Sequence, residues 1–188
     1  MMKNRFIQLH FNKLASISHY SRETKTINKM EFTADDRKFM QMAIDLSIDN
    51  VANGGGPFGA IIVRNGEVIS TGVNRVTANN DPTAHAEVSA IRTACSKVQN
   101  FKLEGCTCYT SCEPCPMCLS ALYWAGVERI VYGNTKDDAK AIDFDDSFIY
   151  DEIEKPHAQR LIPCQNLMRE EALEGFKAWS AKPDKTLY

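Results

Sequence analysis

The segment Cys112-Glu113-Pro114-Cys115-Pro116-Met117-Cys118 concentrates three of the chain's seven cysteines, with a proline on each side of Cys115. An odd number of cysteines cannot all pair within one chain. Clustering of this kind without a secretion signal reads as metal chemistry rather than a disulfide framework. Two thiolates separated by two residues can wrap one cation, because the intervening turn brings the sulfurs together. Upstream, Thr83-Ala84-His85-Ala86-Glu87 offers an imidazole, which suits zinc equally well. His85, Cys112 and Cys115 then make three ligands and leave a fourth tetrahedral position for water, the open arrangement of a catalytic centre. Both cysteines are expected at a helix N-terminus, where the dipole favours thiolate. Glu87 is placed to work beside the metal, taking a proton from water and delivering it to a leaving group. Two other readings use the same residues. The Cys112/Cys115 pair would serve as a redox dithiol in a thioredoxin-like context. Cys118, three residues after Cys115, would close a structural Cys₃His site. Otherwise Cys118 is a packed core thiol, like Cys95, Cys106, Cys108 and Cys164.

Hydrophobic periodicity places these motifs on elements. Phe39, Met42, Ala43, Leu46 and Val51 recur at helical spacing after Thr33, an N-cap candidate followed by Asp35 and Asp36. Asn53-Gly54-Gly55-Gly56-Pro57 stops that helix. Phe58–Val63 and Glu67–Asn74 are β-rich runs joined at Asn65-Gly66, a two-residue hairpin signal. Turn chemistry at 79–83 precedes a helix over Ala84–Cys95, with Val88, Ile91, Ala94 and Cys95 inward. Thr107–Thr110 reads as a short strand, and Cys115 opens a helix that runs to about Trp124 and ends at Gly126. Arg129–Tyr132 is a further strand. Helices alternate with strands around one sheet, an α/β layer fold. His10, His19 and His157 have no partners at ligand spacing.

Charge separates the chain in two. The 188 residues, 44% hydrophobic and 24% charged, suit one soluble domain able to bury its own core. The net charge of −2 conceals an asymmetry, because residues 1–30 hold six Lys and Arg against Glu23 alone. The rest therefore carries 16 basic and 23 acidic side chains. The expected division is a basic N-terminal extension over 1–30 and a catalytic domain over 31–188. Three origins fit the extension: an organelle transit peptide, a flexible or cloning-derived leader, and an added segment upstream of an original start at Met30, the preferred reading. An acidic domain argues against a nucleic-acid coat, which needs a basic excess. No run of 18 apolar residues spans a membrane, and the expected location is cytoplasmic.

His85-Ala86-Glu87 joined to Cys112-Glu113-Pro114-Cys115-Pro116-Met117-Cys118 resembles the cytidine deaminase superfamily over about residues 32–135, the His-x-Glu and Pro-Cys-x-x-Cys pattern of zinc nucleobase deaminases. The resemblance implies a three-layer α/β/α fold with a central mixed five-stranded sheet, one zinc ion per subunit, and release of ammonia from a carbon bearing an exocyclic amine. Gly55-Gly56-Pro57-Phe58-Gly59-Ala60, Asp81-Pro82-Thr83-Ala84-His85-Ala86-Glu87, Phe144-Asp145-Asp146-Ser147-Phe148 and the terminal Leu187-Tyr188 look like bacterial guanine deaminases in particular. That likeness implies guanine as substrate and a homodimer in which the C-terminal segment, about 140–188, is exchanged. It also implies that Asn74 hydrogen-bonds the base edge and that Ala86 contacts it. Phe58 and Trp124 would wall the pocket, with Tyr188 reaching in from the other subunit. Asp146 would handle protons beside Glu87, with Asp145 as the alternative. The rival activities are a nucleoside or tRNA-adenosine deaminase on the same zinc site and, outside catalysis, a structural zinc-binding interaction module.

Overall fold

The computed structural model describes residues 31–187, and the expectations for residues 1–30 and Tyr188 lie outside them. The first helix, α1 (Ala34–Ala52), starts where its sequence dictates. Thr33 accepts from the Asp36 amide while the Asp36 carboxylate accepts from the Thr33 amide, a reciprocal capping box. The apolar stripe buries Phe39 and Ala43, then turns to the polar Ser47 and Asn50 in the last two turns, so Val51 is exposed rather than inward as expected.

Strands β1 (Gly59–Arg64) and β2 (Glu67–Val73) form the expected hairpin. Asn65 and Gly66 both take positive φ, 53° and 79°, which the tight type I′ turn requires and which Gly adopts without penalty. A short helical turn, α2 (Val76–Asn79), leads to α3 (Ala86–Val98). Strand β3 (Cys106–Cys112), helix α4 (Pro116–Ala125) and strand β4 (Arg129–Asn134) follow. The strand order is β2-β1-β3-β4, antiparallel except for the parallel β3–β4 pair.

Central strand β1 is buried on both faces, and its alternation sorts the two cores. Ala60 and Ile62 pack with Ala90, Ala94, Cys106, Cys108 and Leu122 under α3 and α4. Ile61 and Val63 pack with Phe39, Ala43, Tyr109 and Val131 under α1. This gives the expected α/β/α layering, with Ile61 and Ile62 fully buried and each contributing about 1.5–3 kcal/mol of hydrophobic stabilisation.

Among the described residues the sheet has four strands, not the five expected. After β4, Thr135 and Asp138 form a second capping box and turn the chain at once into α5 (Lys136–Lys140). The sequence then continues as α6 (Ser147–Glu154), a 3₁₀ turn at His157–Gln159 and α7 (Arg169–Ala181). No helix among the described residues is long and apolar enough to cross a membrane.

One polar cluster ties α1 to the sheet. Asp36 accepts from the Tyr109 hydroxyl at 2.6 Å on β3 and pairs with Arg129 at 2.7 Å on β4. Burial alone would raise the Asp36 pKa, but hydrogen bonds from Tyr109, Thr33 and Arg129 outweigh it and hold the carboxyl well below the usual carboxylate range. Asp36→Asn is expected to lower the unfolding free energy by about 2–4 kcal/mol at pH 7, because a buried pair and a cap are broken together. A depressed folded-state pKa stabilises above the unfolded value and loses its effect as pH falls through the folded one. Urea titrations of both proteins should therefore show a gap that persists down to about pH 4 and narrows below it.

Candidate active site

The N-termini of α3 and α4 meet at one end of the sheet, and the site is built where they meet. His85 is the N-cap of α3 and Cys115 the N-cap of α4, with Pro116 at the first helical position, where a missing amide hydrogen is harmless. Cys118 lies one turn into α4. The His85 Nδ1 stands 3.6 Å from the Cys115 Sγ and 3.6 Å from the Cys118 Sγ, and the three donor atoms lie within 4.8 Å of one another. Tetrahedral zinc, with Zn–S of about 2.3 Å and Zn–N of about 2.0–2.1 Å, requires nitrogen–sulfur edges of about 3.6 Å, so the donor set fits that ion. Three donors leave the fourth position open. The Cys115 sulfur is favoured as thiolate, since the Cys118 thiol, His85 and the Cys118 amide all donate to it and hold its pKa well below the usual thiol value.

Cys112, expected as a ligand, is not in this group. It ends β3, and its thiol donates to the Thr135 carbonyl at 3.6 Å. Burial, followed by the nearby Glu87 charge, pushes its pKa up to about 11, so it stays a thiol. Two Cys-x-x-Cys spacings overlap here, and only 115–118 places both sulfurs on the first turn of a helix. The signal lay in Pro114: the Pro-Cys-x-x-Cys pattern itself selects Cys115 and Cys118. Cys118 thus stands with His85 and Cys115 in a three-donor group that excludes Cys112, rather than in a four-donor Cys₃His cluster. Among the other cysteines, Cys106 and Cys108 are buried as expected and Cys95 partly so, whereas Cys164 is exposed.

A cavity of about 430 Å³ opens beside the cluster, a size suited to a small ligand. Phe58, Asn74, Ala86, Glu87, Asp145 and Asp146, all expected at the substrate, line it. Phe144 completes the wall, meeting Phe58 edge-to-face with ring centroids 5.0 Å apart. Trp124 does not line the cavity; it sits near the end of α4 and is 66% exposed. Glu87 is buried at the start of α3, and its Oε1 accepts from the Thr110 hydroxyl at 3.0 Å, a contact without a sequence signal. Desolvation raises its pKa, as suits a carboxyl that both takes and gives a proton.

The two adjacent aspartates are in different states. Asp145 pairs with Lys140 at 2.8 Å and accepts from the Ser147 amide and hydroxyl, contacts that bring its pKa down to about 2. Asp146 does not cap α6 with its side chain, and burial, then the Cys115 charge, raises its pKa. Asp145 is held ionised by its neighbours, while the Asp146 carboxyl protonates more readily than an ordinary aspartate.

An imidazole and two cysteines at paired helix N-termini, with a buried carboxyl two residues after the histidine, define a zinc-dependent hydrolytic deaminase. Residues 33–134 match the family described as the cytidine and deoxycytidylate deaminase zinc-binding region, and the chain belongs to that family. It is 49% identical over 151 residues to the guanine deaminase of Bacillus subtilis (strain 168), covering 80% of this chain and 97% of that protein. The X-ray structure of guanine deaminase from Bacillus subtilis superposes with a TM-score of 0.79 at 48% identity, over 81% of this chain and 98% of that one. A tRNA-specific adenosine deaminase from Buchnera aphidicola subsp. Schizaphis graminum is 37% identical over 105 residues, 56% of this chain and 70% of that protein.

Zinc content separates the two thiol assignments. Cys118→Ala is expected to purify with little zinc and Cys112→Ala with zinc retained, measured by atomic absorption on folded protein. Equal loss of metal in both variants would return Cys112 to the ligand set.

Proposed function

We propose that this chain hydrolyses guanine to xanthine and ammonia. The observation that carries the reading is a cavity presenting, beside one zinc site, an amide, an aromatic wall and two carboxyls with raised pKa, Glu87 and Asp146. The near-full-length likeness to a guanine deaminase supports the same choice. His85, Cys115 and Cys118 are the proposed zinc ligands. When bound, zinc would supply the acidity that makes a water a better nucleophile at neutral pH.

The residues divide the remaining work. Phe58 and Phe144 form an apolar wall for the planar base, and Asn74 offers an amide donor and acceptor to its edge. Ala86, fully buried at the first turn of α3, lets the base lie close to the helix backbone. Glu87, oriented by Thr110, accepts the proton of the attacking water and passes it to the ring nitrogen beside C2. The water oxygen is now bonded to C2; the carboxyls take the proton of this new C2 hydroxyl and deliver it to the amine, the C2–N bond breaks, and ammonia leaves as the C2 carbonyl forms. Asp146 handles protons at the amine, while Asp145 fixes the turn that presents it.

The chain acts as a homodimer in this proposal, with the C-terminal segment from about residue 140 exchanged, so that the Phe144–Asp146 turn lining the cavity of the single chain would line the partner's cavity and Tyr188 would close it. Supporting it, Leu161, Ile162, Leu167 and Phe176 are each more than 70% exposed in the single chain, an apolar surface of the kind that a second subunit covers. Residues 31–188 are the proposed catalytic domain, 1–30 a basic extension and the cytoplasm the site of action. The tRNA-adenosine reading is disfavoured by the acidic balance after residue 30, since phosphate contacts need Lys and Arg.

Ammonia release from guanine, guanosine, adenine and a tRNA substrate tests the activity. Guanine is expected to be the preferred substrate, and turnover of guanosine or tRNA without guanine would overturn the proposal. Glu87→Gln should keep zinc and lose about two to four orders of magnitude in kcat, with Asp146→Asn costing more than Asp145→Asn. Truncation after Lys182 is expected to weaken both the dimer, read by sedimentation, and guanine turnover. A fully active monomer would end the exchanged-tail assignment.

A further inference from the structure

We propose that Asn50 is a positioning residue that sets the spacing between the aromatic wall and the base-reading amide; the assignment rests on the guanine reading above. Asn50 lies on the last turn of α1, outside the catalytic cavity, and is only 4% exposed. A buried side-chain amide is costly unless its hydrogen bonds are made. Here its Nδ2 donates at 2.8 Å to the Gly56 carbonyl and at 2.8 Å to the Asn74 carbonyl, using both hydrogens.

Those two carbonyls belong to the segments that frame the base. Gly56 O also accepts from the Phe58 amide at 2.8 Å, and Phe58 O accepts from the Asn74 amide at 3.1 Å. The wall residue, the reading residue and the loop between α1 and β1 thus form one hydrogen-bonded ring closed by Asn50. The fit has no slack. A Cβ at Gly55 would lie 2.3 Å from the Asn50 Nδ2, and one at Gly56 would lie 3.2 Å from the Asn74 Oδ1. The glycines are needed here for close approach. Without both donors, the Gly56 and Asn74 carbonyls no longer share one anchor, and the Asn74 amide loses its fixed distance from the Phe58 ring. An aspartate at position 50 is worse than an alanine, because an ionised carboxylate only accepts and would face two carbonyl oxygens.

The zinc ligands stand on other elements, so the expected signature is a split between binding and metal. Asn50→Ala and Asn50→Asp should raise KM for guanine about tenfold or more, the equivalent of about 1.4 kcal/mol. Zinc content should be unchanged and kcat should stay within about threefold. Because Asn50 acts through Asn74, adding Asn50→Ala to Asn74→Ala should change KM little further, whereas two independent effects would multiply. Gly55→Ala supplies a second route that keeps Asn50 but forces it aside, and it should reproduce the KM rise. In the Asn50→Ala background, which removes the crowding atoms, Gly55→Ala should have little additional effect. A folded Asn50→Ala protein with unchanged KM, or multiplying effects with Asn74→Ala, would overturn the assignment. Calorimetric binding of guanine, adenine and hypoxanthine to the same zinc-loaded proteins keeps the two proposals distinguishable. Failure of the wild type to release ammonia from guanine sinks the substrate reading. The Asn50 role is then decided by whether its variants bind the preferred base more weakly, which supports it, or equally well, which overturns it.

Discussion

Everything at the site depends on two helix N-termini converging at one end of a four-stranded sheet. Each terminus brings unsatisfied amide groups and the positive end of a dipole. The sequence fills both with groups that favour anionic or electron-pair donors: His85 and Glu87 on α3, Cys115 and Cys118 on α4. The parallel β3–β4 pair makes this possible, because its crossover is α4 itself. β3 therefore feeds directly into the cysteine turn, and Thr110 on that strand reaches Glu87. Fold and chemistry share one cause, the placement of strand ends beneath helix starts.

Around that centre the polar groups are graded by what else they touch. Among the described residues, Glu87 and Asp146 are the carboxyls left with raised pKa, and both line the cavity. Asp36, also buried, has the opposite character because Tyr109, Thr33 and Arg129 all donate to it. Asp145 likewise has its pKa lowered by Lys140 and Ser147. The same kind of side chain thus has its pKa lowered or raised according to its donors and burial. Asn50 extends the pattern beyond the cavity, since an amide with both hydrogens engaged is a clip rather than a ligand.

Much of the fold was legible because local rules governed it. Thr33 with Asp36, and Asn65 with Gly66, are start and turn signals whose meaning is settled within four residues. The alternation of Ala60, Ile61, Ile62 and Val63 fits a strand buried on both faces. The expected fifth strand has no counterpart among the described residues, since it came from likeness to a family rather than from any β-rich run. After Asn134 the sequence holds a capping box and acidic turns. Trp124 shows the same limit: an aromatic residue near a metal motif looks like a wall, yet its position near the far end of α4 leaves it outside the cavity.

The sequence by itself determined the class of chemistry, because His85, Glu87 and a Pro-Cys-x-x-Cys segment admit few uses other than an open zinc site with a carboxyl beside it. It also determined where α1, the hairpin, α3 and α4 lie, to within a few residues. The tertiary structure supplied the reason that Cys118 rather than Cys112 joins His85 and Cys115, and it alone separated the two aspartates. Cys112 and Cys118 are equally spaced from Cys115 along the chain, but one ends a strand and bonds to a backbone carbonyl while the other turns toward His85. Asp145 and Asp146 are neighbours whose roles are divided by Lys140, Ser147 and burial. Spacing measures separation along the chain, whereas ligation and proton transfer depend on direction and surroundings in space.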